Sequence, residues 1–113
     1  MGDITENFSH KEFACKCKCG FDAIDERLVH RLQVIRDIVQ VPMIINSGCR
    51  CEKHNKTVGG SKLSYHLKGL ASDWRFERAE NFWYEMLEGW SGGYHYYDTQ
   101  GFCHTDIGPR RRW

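Results

Sequence analysis

Apolar residues recur at helical spacing over one long stretch of the chain, between positions 24 and 39. The apolar residues of this stretch are Ile24, Leu28, Leu32, Ile35 and Val39. Repeats of three or four residues place such side chains on one face of a helix, so the pattern predicts an amphipathic helix from Ile24 to Val39. We expect Asp22 to cap the start of this helix, and Pro42 follows its end.

Two short apolar runs predict buried strands. The first runs from Met43 to Ile45 and is followed by Asn46-Ser47-Gly48, whose residue types favour a turn. The second runs from Leu70 to Trp74, after a loop that contains Val58-Gly59-Gly60. We expect both strands to contribute to the core.

The last third of the chain predicts a helix and then a hairpin. Arg78 to Glu88 carries apolar residues at helical spacing, and Gly89 is placed to end that helix. Its apolar residues are Ala79, Phe82, Met86 and Leu87. Two aromatic-rich segments, Tyr94 to Tyr97 and Phe102 to Ile107, predict strands that the turn at Asp98 to Gly101 joins.

Together these elements predict an α+β fold in which helices pack on a small antiparallel sheet. Phe8 to Phe21 is predicted to be an ordered loop or a small hairpin, and Arg110 to Trp113 a terminal strand with Trp113 packed down and its arginines solvated or paired. The chain has no internal repeat and no low-complexity linker. Residues 1–113 are therefore interpreted as a single domain, and we expect a monomer.

Charge and hydropathy argue against two classes of protein. Lys and Arg number 16 and Asp and Glu 15, and the resulting net charge of +1 does not favour nucleic acid as a partner. No apolar run approaches the roughly 18 residues of a membrane-spanning helix. Met1 to His10 is polar and acidic, so we expect synthesis in the cytoplasm without a secretory signal peptide, or a signal that has been removed.

The six cysteines leave several states open. They are Cys15, Cys17, Cys19, Cys49, Cys51 and Cys103. The first three alternate along the chain, and this Cys-x-Cys spacing differs from the Cys-x-x-Cys spacing of a zinc knuckle, which disfavours a structural zinc site. For a cytoplasmic protein we favour reduced, buried thiols, and a disulfide near the active site is the alternative under oxidising conditions.

Two histidines and one aspartate form the candidate metal site. His66 and Asp73 lie seven positions apart with Gly69 between them, which suits one ligand on a loop and the next on a strand. His104 lies in the predicted last strand. Two imidazoles and one carboxylate, with a fourth position for water, are a usual ligand set of catalytic zinc. By spacing alone, three ordinary surface residues are the better explanation.

The residues around this group resemble a known family. The series contains Ser47-Gly48-Cys49-Arg50, His54-Asn55, Val58-Gly59-Gly60, Ser64-x-His66-x-x-Gly69-x-Ala71-x-Asp73 and Phe102-x-His104-x-Asp106, before an arginine-rich tail that ends at Trp113. It is similar to the zinc D-alanyl-D-alanine carboxypeptidase family, which shares its fold with the hedgehog signalling domain and includes small phage endolysins. The resemblance covers nearly the whole chain, from Phe8 to Trp113, and implies the same α+β fold.

The resemblance also implies roles for the matched residues. His66, Asp73 and His104 are implied to be the ligands of a zinc cofactor. Arg50 is implied to bind a substrate carboxylate or carbonyl, which a guanidinium contacts with paired donors. The Ser64 hydroxyl can support substrate or ligand geometry, or serve as an ordinary turn hydroxyl.

The general base is the point at which this sequence departs from the better-known members. They carry an acid three residues before the last histidine ligand, and Gly101 occupies that position here. Asp106 is the first candidate base because strand alternation points it to the same face as His104, although it could instead orient the imidazole. Asp98 is the second candidate, or an ordinary turn residue. His95 is a candidate for stabilising the tetrahedral intermediate, or an ordinary strand residue.

The implied function is a zinc peptidase that cleaves peptidoglycan stem peptides and acts on the cell wall. It would be a D-Ala-D-Ala carboxypeptidase or an endopeptidase of the endolysin type, in which water activated by the metal attacks the peptide carbonyl. A non-catalytic zinc-binding module of the same fold is the alternative, supported by Gly101. A cysteine-zinc module for nucleic acid is a third hypothesis, which the net charge opposes.

Overall fold

A single mixed sheet organises the part of the chain that the structure describes. The structure is a computed structural model and describes residues 2–78 and 86–113. Five strands form the sheet in the order β1-β2-β4-β3-β5. They are β1 Met43–Ser47, β2 Ala71–Phe76, β3 Gly93–Tyr97, β4 Phe102–Asp106 and β5 Arg111–Arg112. The first four strands pair antiparallel, whereas β5 runs parallel to β3.

Three α-helices and two short 3-10 helices accompany the sheet within the described residues. The α-helices are α1 His10–Phe13, α2 Glu26–Val39 and α3 Glu52–Thr57, and the 3-10 helices are Tyr65–Lys68 and Met86–Gly89. Helices and a mostly antiparallel sheet make this an α+β protein, which confirms the predicted fold class. None of the described helices is long and apolar enough to cross a membrane.

Helix α2 is the long helix that the apolar repeat predicts, but it begins later than expected. Asp25 caps it, since its carboxylate accepts the backbone N–H of Arg27 at 2.9 Å. The prediction that Asp22 is the cap is wrong. The Asp25 N–H bonds to the Gly69 carbonyl instead of continuing a helix backwards, and this tertiary contact fixes the start. The buried face of α2 carries Leu28, Val29, Leu32 and Ile35.

Helices α1 and α3 are additions to the predicted elements. The segment from Phe8 to Phe21 contains no strand and so is not a hairpin. Its helical turn α1 begins at a capping box, in which the Glu12 carboxylate accepts the Ser9 N–H at 2.7 Å. Such short helices have no apolar repeat, and sequence periodicity therefore does not reveal them.

The remaining predicted elements differ from the structure mainly at their ends. Strand β1 continues through Asn46 and Ser47, where a turn was expected, and β2 covers Ala71–Phe76. The aromatic hairpin is present as β3 and β4. The predicted helix from Arg78 to Glu88 falls largely on residues 79–85, which lie outside the described residues.

The core lies between α2, the N-terminal segment and one face of the sheet. Leu28 and Leu32 of α2, Trp74 of β2, and Phe8 and Phe13 are all essentially inaccessible to solvent. The other face of the sheet carries the polar side chains described below. The predicted terminal strand exists as β5, but the expectation that Trp113 is packed down is wrong, because its side chain is 53% exposed.

Candidate metal centre

Three side chains from separate elements converge at one end of a cleft. His66, Asp73 and His104 each offer one metal-ligating atom, and these atoms lie within 4.8 Å of one another. Oδ1 of Asp73 is 3.2 Å from Nε2 of His66 and 3.0 Å from Nδ1 of His104. The structure therefore brings together the three residues that the sequence singled out.

Local structure explains how each of the three reaches this point. His66 lies in the 3-10 helix Tyr65–Lys68, where the Ser64 hydroxyl accepts its backbone N–H at 3.2 Å. Gly69 ends that helix with a φ of 69°, in the left-handed region that favours glycine. Asp73 of β2 and His104 of β4 face each other directly in the antiparallel register, so their side chains share a face of the sheet.

Hydrogen bonds on the outer side of each imidazole fix which nitrogen faces Asp73. Nδ1 of His66 lies 2.7 Å from the Gly48 carbonyl, which can only accept, so this nitrogen carries the proton and Nε2 points inward with a lone pair. Nε2 of His104 lies 2.8 Å from the Asp106 carboxylate, which leaves Nδ1 to point inward. Imidazoles that donate outward to a carbonyl and a carboxylate are typical of metal sites.

The Asp73 carboxylate is held from its other side by Arg50. Nη2 of Arg50 is 3.1 Å from Oδ2 of Asp73, and both side chains are largely buried. Burial raises the pKa of Asp73, but the neighbouring His104 and His66 rings, when they are protonated, lower it by more, so its pKa lies well below the usual range. Asp73 is therefore a carboxylate with one oxygen anchored and the other directed at the two imidazoles.

Asp106 lies behind His104 and is fully buried. Its two oxygens accept from His104, from the backbone N–H groups of Gly93 and Gly108, and from the guanidinium of Arg111. Burial raises the pKa of Asp106, whereas the bonds from His104 and Arg111 lower it, with a net result of about 2. Burial lowers the pKa of His104, but Asp106 and Asp73 together raise it above its ordinary value.

The donor set fits a divalent cation such as zinc. In both His66 and His104 the outward ring nitrogen carries a proton and donates it. When the two rings are neutral, their inward nitrogens and Oδ1 of Asp73 therefore face one another as three electron-rich atoms. A cation among them removes this repulsion. Two imidazoles and one carboxylate are also the ligand types and number found at catalytic zinc, where a fourth position stays open.

The convergent residues open onto a cleft of about 780 Å³. Arg50 and Ser64, the two candidates for substrate contact, are among the residues that line it. The cleft also has walls that the sequence did not indicate, formed by Tyr65, Tyr97, Gln100, Phe102, Arg111 and Trp113. Of these, Tyr65 adjoins the His66 motif and Trp113 ends the arginine tail, so the motifs could have indicated both. Nothing in the sequence pattern indicated that Gln100 lines the cleft.

Two other candidates, Asp98 and His95, are not among the described residues that line the cleft. Asp98 is exposed in the turn between β3 and β4 and is not among the described residues that line the cleft. His95 of β3 lies opposite His104 in the register, and its ring stacks on Trp113 with centroids 5.4 Å apart. The register position of His95 nevertheless places it beside His104, whose ring also contacts Trp113 at 5.3 Å between centroids. The structure therefore brings His95 next to one of the three convergent side chains, and Asp98 is not brought to them.

The cysteines separate into two groups. All six are free thiols in the structure. Cys49 and Cys103 are buried, and burial raises the pKa of Cys49 to about 11 and that of Cys103 well above its usual value. Cys17 and Cys19 are exposed, which contradicts the expectation of uniformly buried thiols. They lie beside Cys15 and Cys51 in a second cluster of potential metal ligands.

Comparisons with known proteins give a consistent result. The family described as Peptidase M15 matches residues 6–106. Peptidoglycan L,D-endopeptidase MepK of Escherichia coli (strain K12) is 32% identical over 100 residues, which cover 80% of this chain and 55% of that protein. The protein of the same name from Shigella flexneri matches to the same extent. The chain thus spans about half the length of the curated relatives it matches.

Proposed function

Because this chain belongs to the peptidase M15 family, we propose that it is a zinc-dependent peptidase that cleaves the stem peptides of peptidoglycan at the cell wall. The observation that carries the proposal is the convergence of His66, Asp73 and His104, each already oriented by an outer partner, at one end of the cleft. The relative MepK is named as a peptidoglycan L,D-endopeptidase, which favours an internal bond of the stem peptide over its carboxyl-terminal bond.

In this proposal His66, Asp73 and His104 hold the zinc. When bound, zinc supplies Lewis acidity, which lowers the pKa of water and polarises a carbonyl group. The Gly48 carbonyl and the Asp106 carboxylate keep the two imidazoles in the ligating tautomer. Arg50 keeps the Asp73 carboxylate turned toward the metal position.

The cleft has the size and lining expected for a short peptide. Its volume of about 780 Å³ lies within the range of small-ligand sites, which is enough for a short peptide segment. Arg50 is held by Ser47 and Asp73 and also lines the cleft, so it presents oriented N–H groups to a substrate carbonyl or carboxylate.

We place Asp106 as a positioning residue that acts through His104. Both of its oxygens are occupied and it has no solvent exposure, so an incoming proton would have to displace an existing bond. Asp98, the other candidate base, is exposed outside the described lining of the cleft.

The experiment that tests this function is mass spectrometry of purified peptidoglycan after incubation with the zinc-loaded protein. We expect new stem-peptide fragments that disappear with a chelator and with His66→Ala. The matched control is His30→Ala, because His30 is exposed on α2, and this variant should produce the same fragments. The masses identify the bond, which distinguishes an endopeptidase from a carboxypeptidase.

A non-catalytic zinc-binding module is the second candidate, and one observation favours it. Asp73 and Asp106 are the only carboxylates among the described residues that line the cleft, and both are engaged. Unchanged muropeptides from folded, zinc-loaded protein would support this module and overturn the peptidase.

A further inference from the structure

A second group of potential metal ligands lies outside the cleft. Cys15, Cys17 and Cys19 belong to the N-terminal segment, and Cys51 caps the start of α3. The four sulfur atoms lie within 4.8 Å of one another. The proposed peptidase chemistry does not use these residues, so the cluster needs an explanation of its own.

The spacing of the sulfur atoms matches a tetrahedral metal site. Cys15 and Cys17 are 3.4 Å apart, Cys17 and Cys51 3.5 Å, and Cys15 and Cys51 3.9 Å between their Sγ atoms. Four thiolates bound to zinc at about 2.3 Å stand about 3.8 Å apart at the corners of a tetrahedron. A disulfide would need about 2.05 Å. The observed separations therefore fit shared coordination better than pairing.

The backbone is shaped to turn three alternating cysteines toward one point. Lys18 and Gly20 both have positive φ values, of 64° and 94°, which curl the segment. The Cys15 N–H bonds to the Phe21 carbonyl at 2.8 Å and closes this loop. The alternating Cys-x-Cys spacing disfavours a site when the chain is extended, but this curled conformation removes that objection.

Backbone amides also point at the sulfur atoms from the partner segment. The Cys51 N–H lies 3.5 Å from Sγ of Cys15, and the His54 N–H lies 3.4 Å from Sγ of Cys51. Amide donors at sulfur stabilise the thiolate, which is the form that binds metal. Lys16 and Lys18 alternate with the cysteines and offset the negative charge that four thiolates bring to a divalent cation.

Exposure argues against a simple packing role for the cluster. Cys17 and Cys19 are exposed, so they do not contribute to the core. Cys49 and Cys103, by contrast, are buried as thiols that pack in a core are, and both lie outside the cluster. The exposed Cys17 nevertheless lies 3.5 Å from Cys51, 34 positions away in the chain, and a metal ion bound by both thiols explains this approach.

We propose that Cys15, Cys17, Cys19 and Cys51 bind one zinc ion in a closed, structural site. Four protein ligands leave no position for substrate, so the site is structural and separate from the cleft. It clamps the N-terminal segment to the residue that follows Arg50, the side chain that holds Asp73. The metal would therefore stabilise the wall of the cleft from outside.

The test measures zinc per chain by elemental analysis and native mass spectrometry of the full-length protein purified under reducing conditions. We expect two zinc ions in the unaltered protein and one in Cys17→Ser, a substitution of an exposed side chain outside the core. Cys49→Ala is the matched control, since it removes a thiol outside the cluster, and it should retain two. His66→Ala should also retain one, because it affects only the other site.

A second measurement does not depend on any cysteine variant. X-ray absorption at the zinc edge of His66→Ala should show sulfur neighbours alone, at about 2.3 Å. Nitrogen and oxygen neighbours in that variant would overturn the proposal, as would an unchanged zinc content in Cys17→Ser. A mass that shows disulfide-bonded cysteines in protein purified without reductant would indicate disulfides in place of the metal and would also overturn the proposal. If zinc is absent from the His66 site alone, the result counts against the proposed zinc peptidase and not against the cysteine site.

Discussion

At the scale of single residues, the tautomer of each histidine decides what the site can do. His66 donates to a backbone carbonyl and His104 to a buried carboxylate, so each ring turns its other nitrogen toward Asp73. The same ring without its outer partner could rotate or change tautomer, and the inward lone pair would be lost. Gly48 and Asp106, which would not touch the metal, therefore keep the two imidazoles in the form that can bind it.

Asp106→Asn tests the positioning role directly. The amide can still contact His104 but no longer offers a charged acceptor, so we expect zinc affinity to fall by roughly 10- to 100-fold, and kcat/KM to fall with it. Competition with a chromophoric chelator measures the affinity, and muropeptide release measures the rate. Asp98→Asn is the control and should change neither. A variant of Asp106 that keeps full zinc affinity but loses all activity would instead make Asp106 the proton acceptor.

At the scale of secondary structure, short elements and their caps place the site. The 3-10 helix Tyr65–Lys68 carries His66, and its end at Gly69 bonds to the start of α2 through the Asp25 N–H. A Cβ at Gly69 would lie 2.4 Å from the Ala23 carbonyl oxygen, so this close approach needs glycine. The N-cap residue of α2 thus holds the end of the 3-10 helix that carries His66.

Asp25→Ala should destabilise the protein by about 1 kcal/mol at neutral pH, because it removes the side-chain cap of α2. The hydrogen bond from the Arg27 side chain lowers the pKa of Asp25 in the folded state. The stabilisation is therefore complete above the unfolded pKa of about 3.9 and is lost as pH falls through the lower folded value.

Urea unfolding at several pH values measures this effect. The difference between the unaltered protein and Asp25→Ala should shrink as pH falls below about 4. Asp22→Ala is the control, since Asp22 is exposed and does not cap the helix in the structure. An equal loss of stability in the Asp22 variant would contradict the assignment of the cap.

At the scale of the whole molecule, the C-terminal strand closes the fold around the site. Strand β5 pairs with β3, and Arg111 reaches from it to within 2.7 Å of Oδ2 of Asp106. Arg111 also lies over the Tyr65 ring, and Trp113 stacks on His95 beside the cleft. The last strand therefore stabilises a carboxylate that in turn orients a proposed ligand.

Arg111→Gln should lower the free energy of unfolding by roughly 1–3 kcal/mol, because a buried carboxylate loses a charged hydrogen-bond partner. Arg110→Gln provides the matched control. Arg110 is exposed and donates to a backbone carbonyl of Glu88, so its loss should change stability by less than about 0.5 kcal/mol. Denaturant unfolding separates the two variants, and equal midpoints would refute the role of Arg111.

The sequence by itself determined the features that depend on local order along the chain. The apolar repeat of α2 and the aromatic strands β3 and β4 are visible because periodicity and turn residues act over a few neighbours. The fold class followed from these elements together with the family resemblance. The candidate ligands His66, Asp73 and His104 were identified from residue types, spacing and that resemblance, before any contact between them was known.

Tertiary structure alone decided the contacts between residues distant in sequence. The Gly48 carbonyl reaches His66, Arg111 reaches Asp106, and Cys51 joins three cysteines near the N-terminus. None of these contacts leaves a periodic signal, because each results from how strands and loops pack rather than from neighbouring residues. Hence the sequence left open whether Asp106 serves as base or as orienting partner, and it disfavoured the cysteine cluster that the curled N-terminal segment brings together.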